Sequence, residues 1–206
     1  MSLTVVGSIA FDGLETPFGQ RERILGGAAT HFALSASFFT KLNAVGVVGG
    51  DFGPEEWAVF ERHAINTDDV EVVADGKTFF WKGRYDYDMN TAHTLDTQLN
   101  VFETFQPKLS ENSKGADMLF LANILPMLQK QVREQCPNAK FVAMDTMNFW
   151  ISSMKDALIE TIKVVDCIII NDAEARQLTD EPSIHRAAKR IMEMGPNAVV
   201  IKRGEY

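Results

Sequence analysis

The sequence predicts an α/β fold on a mostly parallel central sheet, and three observations predict it. Short apolar runs rich in β-branched residues recur along the chain: VVGSI, LFLA, FVAM, CIII and VVIK. They are near-continuously hydrophobic rather than alternating, as strands covered on both faces are. Stretches with helical spacing fall between many of them, giving the βαβα order of a parallel sheet.

Taken in order, the first strand is expected at Leu3–Ile9. No basic segment precedes it and it is about strand length, so it does not read as a signal peptide. Ala28–Leu42 carries Phe32, Leu34, Ser35, Phe38, Phe39 and Leu42 at i+3 and i+4 spacing, a helix. A strand at Ala44–Val48 follows. Pro54 opens the helix EEWAVFERHA with acidic residues in its first turn. Strands at Met118–Leu121, Phe141–Met144, Cys167–Ile170 and Ala198–Lys202 alternate with helices at Met127–Cys136, Ser153–Val164 and Ile184–Met194, the last ended by Gly195-Pro196.

One stretch breaks the alternation. From Val70 to Phe105 there is no helical period but many aromatic and β-forming residues, TFFWKGRYDYDMNTAHTLDTQLNVF. Phe11–Ile24 is also unhelical. The two, about 11–24 and 70–105, are expected to pair as a small antiparallel sheet projecting from the α/β body. Such an excursion suits a lid that keeps water from a reaction; an irregular edge extension or a dimer surface is the other reading.

Composition narrows the function. At 206 residues, 46% hydrophobic and 23% charged, the chain suffices for one domain. Twenty Lys and Arg face 28 Asp and Glu, a net charge of -8 with no basic run, so no footprint for nucleic acid is present. A small anion remains possible where donors cluster locally. Cys136 and Cys167 form no CxxC, which indicates neither a disulfide framework nor a zinc site. No apolar run approaches the roughly 20 residues that span a membrane. The expectation is a soluble, cytoplasmic protein without a membrane partner.

Three constellations could carry chemistry. GGAATHFALSASFF starts with Gly26-Gly27 before a helix, where backbone N–H groups can approach a ligand at the positive end of the helix dipole; a tight turn into a core helix needs the same residues. NDAEARQL places Asn171 and Glu174 three residues apart after the strand CIII, on one face of a first helical turn. That is the carboxyl end of a parallel strand, where α/β folds place ligands, and it is equally a capping box. Asp12, past the first strand at the same predicted edge, could accept hydrogen bonds from sugar hydroxyls or form a turn. Two motifs are absent. No GxGxxG follows the first strand, and the GKT at Gly76–Thr78 has Glu71 where a P-loop needs its first glycine.

GGAATHFALSASFFTKLNAVGVVGGDFG resembles the first signature of PfkB-type, ribokinase-like carbohydrate kinases: a Gly-Gly helix start, an alanine-rich helix, a strand and a glycine-rich turn. Asn171 and Glu174 resemble that family's NxxE landmark, the aromatic β excursion its lid, and Val199–Gly204 the strand leading to its nucleotide site. The resemblance covers the whole chain and implies a single kinase domain, 1–206, that moves the γ-phosphate of ATP onto a hydroxyl of a sugar. A nucleoside is the alternative acceptor, drawn from the aromatic lid (Phe79, Phe80, Trp81, Tyr85, Tyr87). A catalytically silent binding protein on the same fold is the rival from another class. By resemblance, Asp12, Gly26, Gly27 and His31 bind the acceptor. Asn171 and Glu174 are catalytic, with Glu174 organising Mg²⁺ and its waters, and Lys202 and Gly204 approach ATP. The lid is implied to serve also as a homodimer surface.

Two departures qualify the resemblance. His31 stands where many members have Asn, so the specificity of ribokinase proper does not carry over. The family's C-terminal Gly-Ala-Gly-Asp motif, with the catalytic base Asp, lies beyond Tyr206, and nothing in Glu205 or Tyr206 stands in for it. The expectation is therefore a chain lacking its C-terminal third and inactive alone.

Overall fold

A computed structural model describes residues 1–204; Glu205 and Tyr206 lie outside the described residues. Among the described residues, eleven strands form two sheets. They are β1 (Ser2–Val6), β2 (Ala10–Thr16), β3 (Gly19–Gly26), β4 (Lys41–Gly49), β5 (Asn66–Val73), β6 (Phe79–Tyr85), β7 (Ala92–Gln98), β8 (Met118–Leu121), β9 (Phe141–Asp145), β10 (Cys167–Asn171) and β11 (Ala198–Lys202). A seven-stranded parallel sheet has the order β11-β10-β9-β8-β1-β4-β5, and a four-stranded sheet the order β3-β2-β6-β7. The α/β class with a parallel central sheet is what the apolar runs predicted.

The chain divides into two compact units, residues 1–6 with 109–206, and residues 7–108. In the first, β8 pairs in parallel with β1 and β9, and β10 with β9 and β11. Leu119, Leu121, Val142, Met144, Ile168 and Ile170 are buried in these strands. The helices are α3 (Glu111–Lys114), α4 (Pro126–Gln135), α5 (Asn148–Ser153), α6 (Lys155–Ile162), α7 (Asp172–Thr179) and α8 (Ile184–Glu193). They contribute Val132, Leu158, Ile162, Leu178 and Ile191, all nearly inaccessible. β11 is less covered, with Val200 48% exposed.

In the second unit, α1 (Ala28–Ala36) and α2 (Pro54–Arg62) accompany β4 and β5, which pair in parallel. The expected helix Ala28–Leu42 is shorter. It stops at Ala36, and Leu42 is instead a buried residue of β4, because burying the run that follows outweighs local helical spacing. The expected lid start near 70 is also corrected: Asn66–Val73 is β5, a strand of the larger sheet, and the small sheet takes residues 10–26 and 79–98. That sheet is mixed rather than antiparallel. β2 pairs antiparallel with β3 but parallel with β6, and β6 pairs antiparallel with β7. The expected helix Ser153–Val164 is α6, shorter at both ends, and a further helix, α5, precedes it across Met154, whose φ is -141°.

Candidate active site

In the unit of residues 7–108, the candidate acceptor residues gather where β2 and β3 meet α1. Asp12 is inside β2, not in a turn after the first strand as expected, so the turn-former reading fails. Its register partners are Ile24 on β3 and Trp81 on β6. The carboxylate lies flat over Gly26: a Cβ there would stand 2.0 Å from Asp12 Oδ2. Glycine at 26 is therefore a steric requirement of that carboxylate. Gly27 is the residue before α1, with φ 95°. A Cβ on it would come within 2.4 Å of Ser8 O and 2.8 Å of Ala10 N, both backbone atoms. The α1 amides behind it are committed: Ala28 N–H donates to Ser8 Oγ at 3.0 Å and Ala29 N–H to Ser8 O at 3.0 Å. The Gly-Gly start thus brings chain segments into close approach, while its first two helical amides are occupied within the protein. His31 is mostly exposed, its Nε2 4.0 Å from Asp12 Oδ2, beyond hydrogen-bonding distance. Tyr85 is half-buried; burial, and then the charge of Asp12, push its phenol above the ordinary range.

The sequence-level P-loop decoy has a structural occupation. Asp51 Oδ1 accepts from Thr78 N–H and Oγ–H, both at 2.7 Å, and Arg23, stacked over Phe11, donates to Asp51 O.

In the unit of residues 1–6 with 109–206, polar residues gather at the carboxyl ends of β9, β10 and β11. Asn171 ends β10 opposite Lys202 of β11, and Asp145 ends β9 opposite Ile169. Asn171 and Glu174 form a reciprocal capping box. Asn171 Oδ1 accepts from Glu174 N–H at 2.7 Å, and Glu174 Oε2 accepts from Asn171 N–H at 2.9 Å. Glu174 keeps a second oxygen outside the cap. Its carboxyl is raised above the usual range by burial, with Asn171 N–H and the Lys202 charge opposing that. Lys202 is exposed, and Gly204 has φ 63°.

Asp145 is the residue that sequence reasoning missed. Burial first, offset by Lys202 and reinforced by Glu174, pushes its carboxyl up to about 7. Its Oδ1 is buried with no hydrogen-bond partner, as are the nearby Thr146 Oγ1 and Gln129 Oε1. Gln129 Nε2 donates to Leu121 O, Ala122 O and Asp145 O, fixing the ends of β8 and β9 beside the carboxylate. The signal existed: FVAMD puts an acid at the end of an apolar strand, where these folds place ligands.

This edge suits magnesium. Among the described residues no group of three or more His, Cys, Asp or Glu could hold a metal alone. Mg²⁺ on a nucleotide needs only one or two carboxylates beside phosphates and waters. Glu174, with one oxygen free of the cap, and Asp145, with an orphaned buried oxygen, supply that number. No helix among the described residues is long and apolar enough to cross a membrane.

The model of the pfkB family carbohydrate kinases matches residues 3–206. A cytidine kinase of Thermococcus kodakarensis is 27% identical over 210 residues, covering 100% of this chain and 74% of that protein. In fold, the chain is similar to a nucleoside kinase of Burkholderia thailandensis in complex with inosine, TM-score 0.81 at 20% identity over 98% of this chain and 70% of that one. It is likewise similar to a fructokinase of Halothermothrix orenii, TM-score 0.76 at 17% identity over 100% and 80%.

Proposed function

The chain belongs to the pfkB family of carbohydrate kinases, and from that premise we propose how its residues divide the work of phosphoryl transfer. The donor is ATP and the acceptor a hydroxyl of a sugar. Asp12 accepts hydrogen bonds from the acceptor's hydroxyls, with Gly26 clearing room for the carboxylate, Gly27 setting the chain's course, and His31 beside them. Asn171, Glu174 and Asp145 hold Mg²⁺ and its waters, and Lys202 and Gly204 approach the nucleotide. When bound, the metal neutralises developing phosphate charge, the main help this reaction needs besides positioning. The observation that carries the reading is the carboxylate pair at the strand ends, one member buried with an unpartnered oxygen.

A second reading, a nucleoside acceptor, is favoured by the cytidine kinase relative. A thermal-shift panel of sugars and nucleosides, with and without Mg²⁺ and ATP, tests the proposal. We expect ATP to raise the melting temperature only with Mg²⁺, and one acceptor class to raise it further. A shift from ATP that is the same in EDTA would refute the metal assignment.

A further inference from the structure

The lid aromatics are not equivalent, and the structure sorts them. Phe79 is stacked on Phe102 at 5.1 Å. Phe80 is the register partner of buried Phe11, on the face of the sheet opposite Asp12. Tyr87 lies beyond the end of β6 and pairs with Phe18. Trp81 differs from all three. It is the direct register partner of Asp12 in the parallel β2–β6 pair, so both side chains rise from the same face. It has no aromatic partner among the described residues, and it is half-buried.

The indole is laid down and fixed. A Cβ on Gly83 would stand 2.1 Å from Trp81 Cη2 and 2.5 Å from Cζ2, so the ring rests on the glycine two residues ahead. Trp81 Nε1–H donates to Thr94 Oγ1 on β7 at 3.2 Å. Asp12 is laid over Gly26 in the same manner. One face of one sheet thus carries two groups side by side, each flattened over a glycine: a carboxylate that suits hydroxyls, and an aromatic plane with its outer side unstacked. Their backbone positions are one strand spacing apart, about 4.8 Å, with the carboxylate leaning toward β3 and the indole along β6 toward β7, so that a sugar joined to a planar base would lie across the face between them.

We propose that Trp81, held flat by Gly83 and tethered by Thr94, is the platform for the base of a nucleoside whose sugar hydroxyls Asp12 holds, and so selects nucleosides over free sugars. The inference rests on the reading of Asp12 as the acceptor residue. Stacking on an aromatic side chain accepts any base, so Trp81 selects the class and leaves the choice of base to other groups.

The test is calorimetric binding of D-ribose, cytidine, uridine, adenosine and inosine, with Mg²⁺ and a non-hydrolysable ATP analogue present. The proteins are the wild-type chain, Trp81→Leu, Trp81→Phe, Gly83→Ala and Asp12→Asn, each checked for an unchanged fold by circular dichroism. The wild type should bind nucleosides more tightly than ribose. Trp81→Leu should weaken nucleosides about 5- to 100-fold, the range that stacking energies imply, and erase most of their advantage over ribose. Gly83→Ala, which keeps the indole but lifts it, should act in the same direction, and Trp81→Phe should restore part of the loss. Ribose binding as tight as nucleoside binding, no nucleoside binding, or a nucleoside advantage that survives Trp81→Leu overturns the platform. A loss of thermal stability with the nucleoside advantage intact does so too, because a merely structural indole would behave that way. Asp12→Asn separates the two claims. It should weaken every acceptor, and unchanged nucleoside binding there would overturn the acceptor reading itself.

Discussion

Replacing Asp145 with Asn should stabilise the protein at alkaline pH and leave it little changed in acid. The carboxyl ionises near 3.8 in an unfolded chain and at about 7 in the folded one. Between those values the folded state holds a proton that the unfolded state has lost, so stability falls as pH rises from about 4 to about 7 and then levels off. The shift is about 3 units, and at about 1.4 kcal/mol per unit the folded carboxylate costs about 4 kcal/mol above pH 8. Asn keeps the shape and cannot ionise, so that cost disappears. The assay is urea unfolding of both proteins at pH 4.5 and 8.5 in EDTA without nucleotide, comparing the stability difference at each pH. Groups shared by the two proteins cancel in the comparison. The difference should move toward Asn by about 3 kcal/mol from the lower to the higher pH, because at pH 4.5 the unfolded carboxyl is already largely ionised. Mg²⁺ should narrow the gap at pH 8.5, because a cation favours the carboxylate that Asn lacks. A pH-independent difference, or a variant that loses relative stability as pH rises, would refute the reasoning. The second result would mean that the charge of Lys202 holds the carboxylate ionised and outweighs its burial.

Glu174→Gln keeps an oxygen for Asn171 N–H, so its melting temperature should stay close to wild type while Mg²⁺-dependent ATP binding weakens at least tenfold, a loss of about 1.4 kcal/mol. Lowered stability with intact binding would leave the capping box as its whole role. Gly27→Ala sets a side chain at φ 95° against two backbone atoms and should cost about 3 kcal/mol or more in denaturant unfolding. A cost under about 1 kcal/mol would mean that the chain near Ser8 yields easily.

The larger sheet was legible because its strands are apolar on both faces, and that is a property of composition. Met118–Leu121 and Ala198–Lys202 were read with their observed bounds. β5 was not legible: TDDVEVV alternates acids with valines, Val72 and Val73 are exposed, and the strand is held by its register with β4. Pairing direction in the small sheet was beyond a periodicity argument as well. The alternation of side chains along β6 is the same whether β2 runs with it or against it, and only the long connection between them permits the parallel choice.

The site shows a different kind of limit. Asn171 and Glu174 were read as either a cap or a catalytic pair, and the geometry makes those alternatives compatible. A carboxylate has two oxygens, and the cap uses one of them. The residue types that close a helix start are also those that face a ligand at a strand's carboxyl end, so sequence alone cannot choose between them. Burial can discriminate. The same edge leaves Asp145 Oδ1 without a partner in a place where ionisation is costly, which is hard to account for by stability alone. The capping box supplies order, because it fixes where Glu174's remaining oxygen stands. Gln129 gives Asp145 the same service by anchoring its carbonyl. At both positions, hydrogen bonds that read as structural prepare an acidic oxygen that the structure itself does not use.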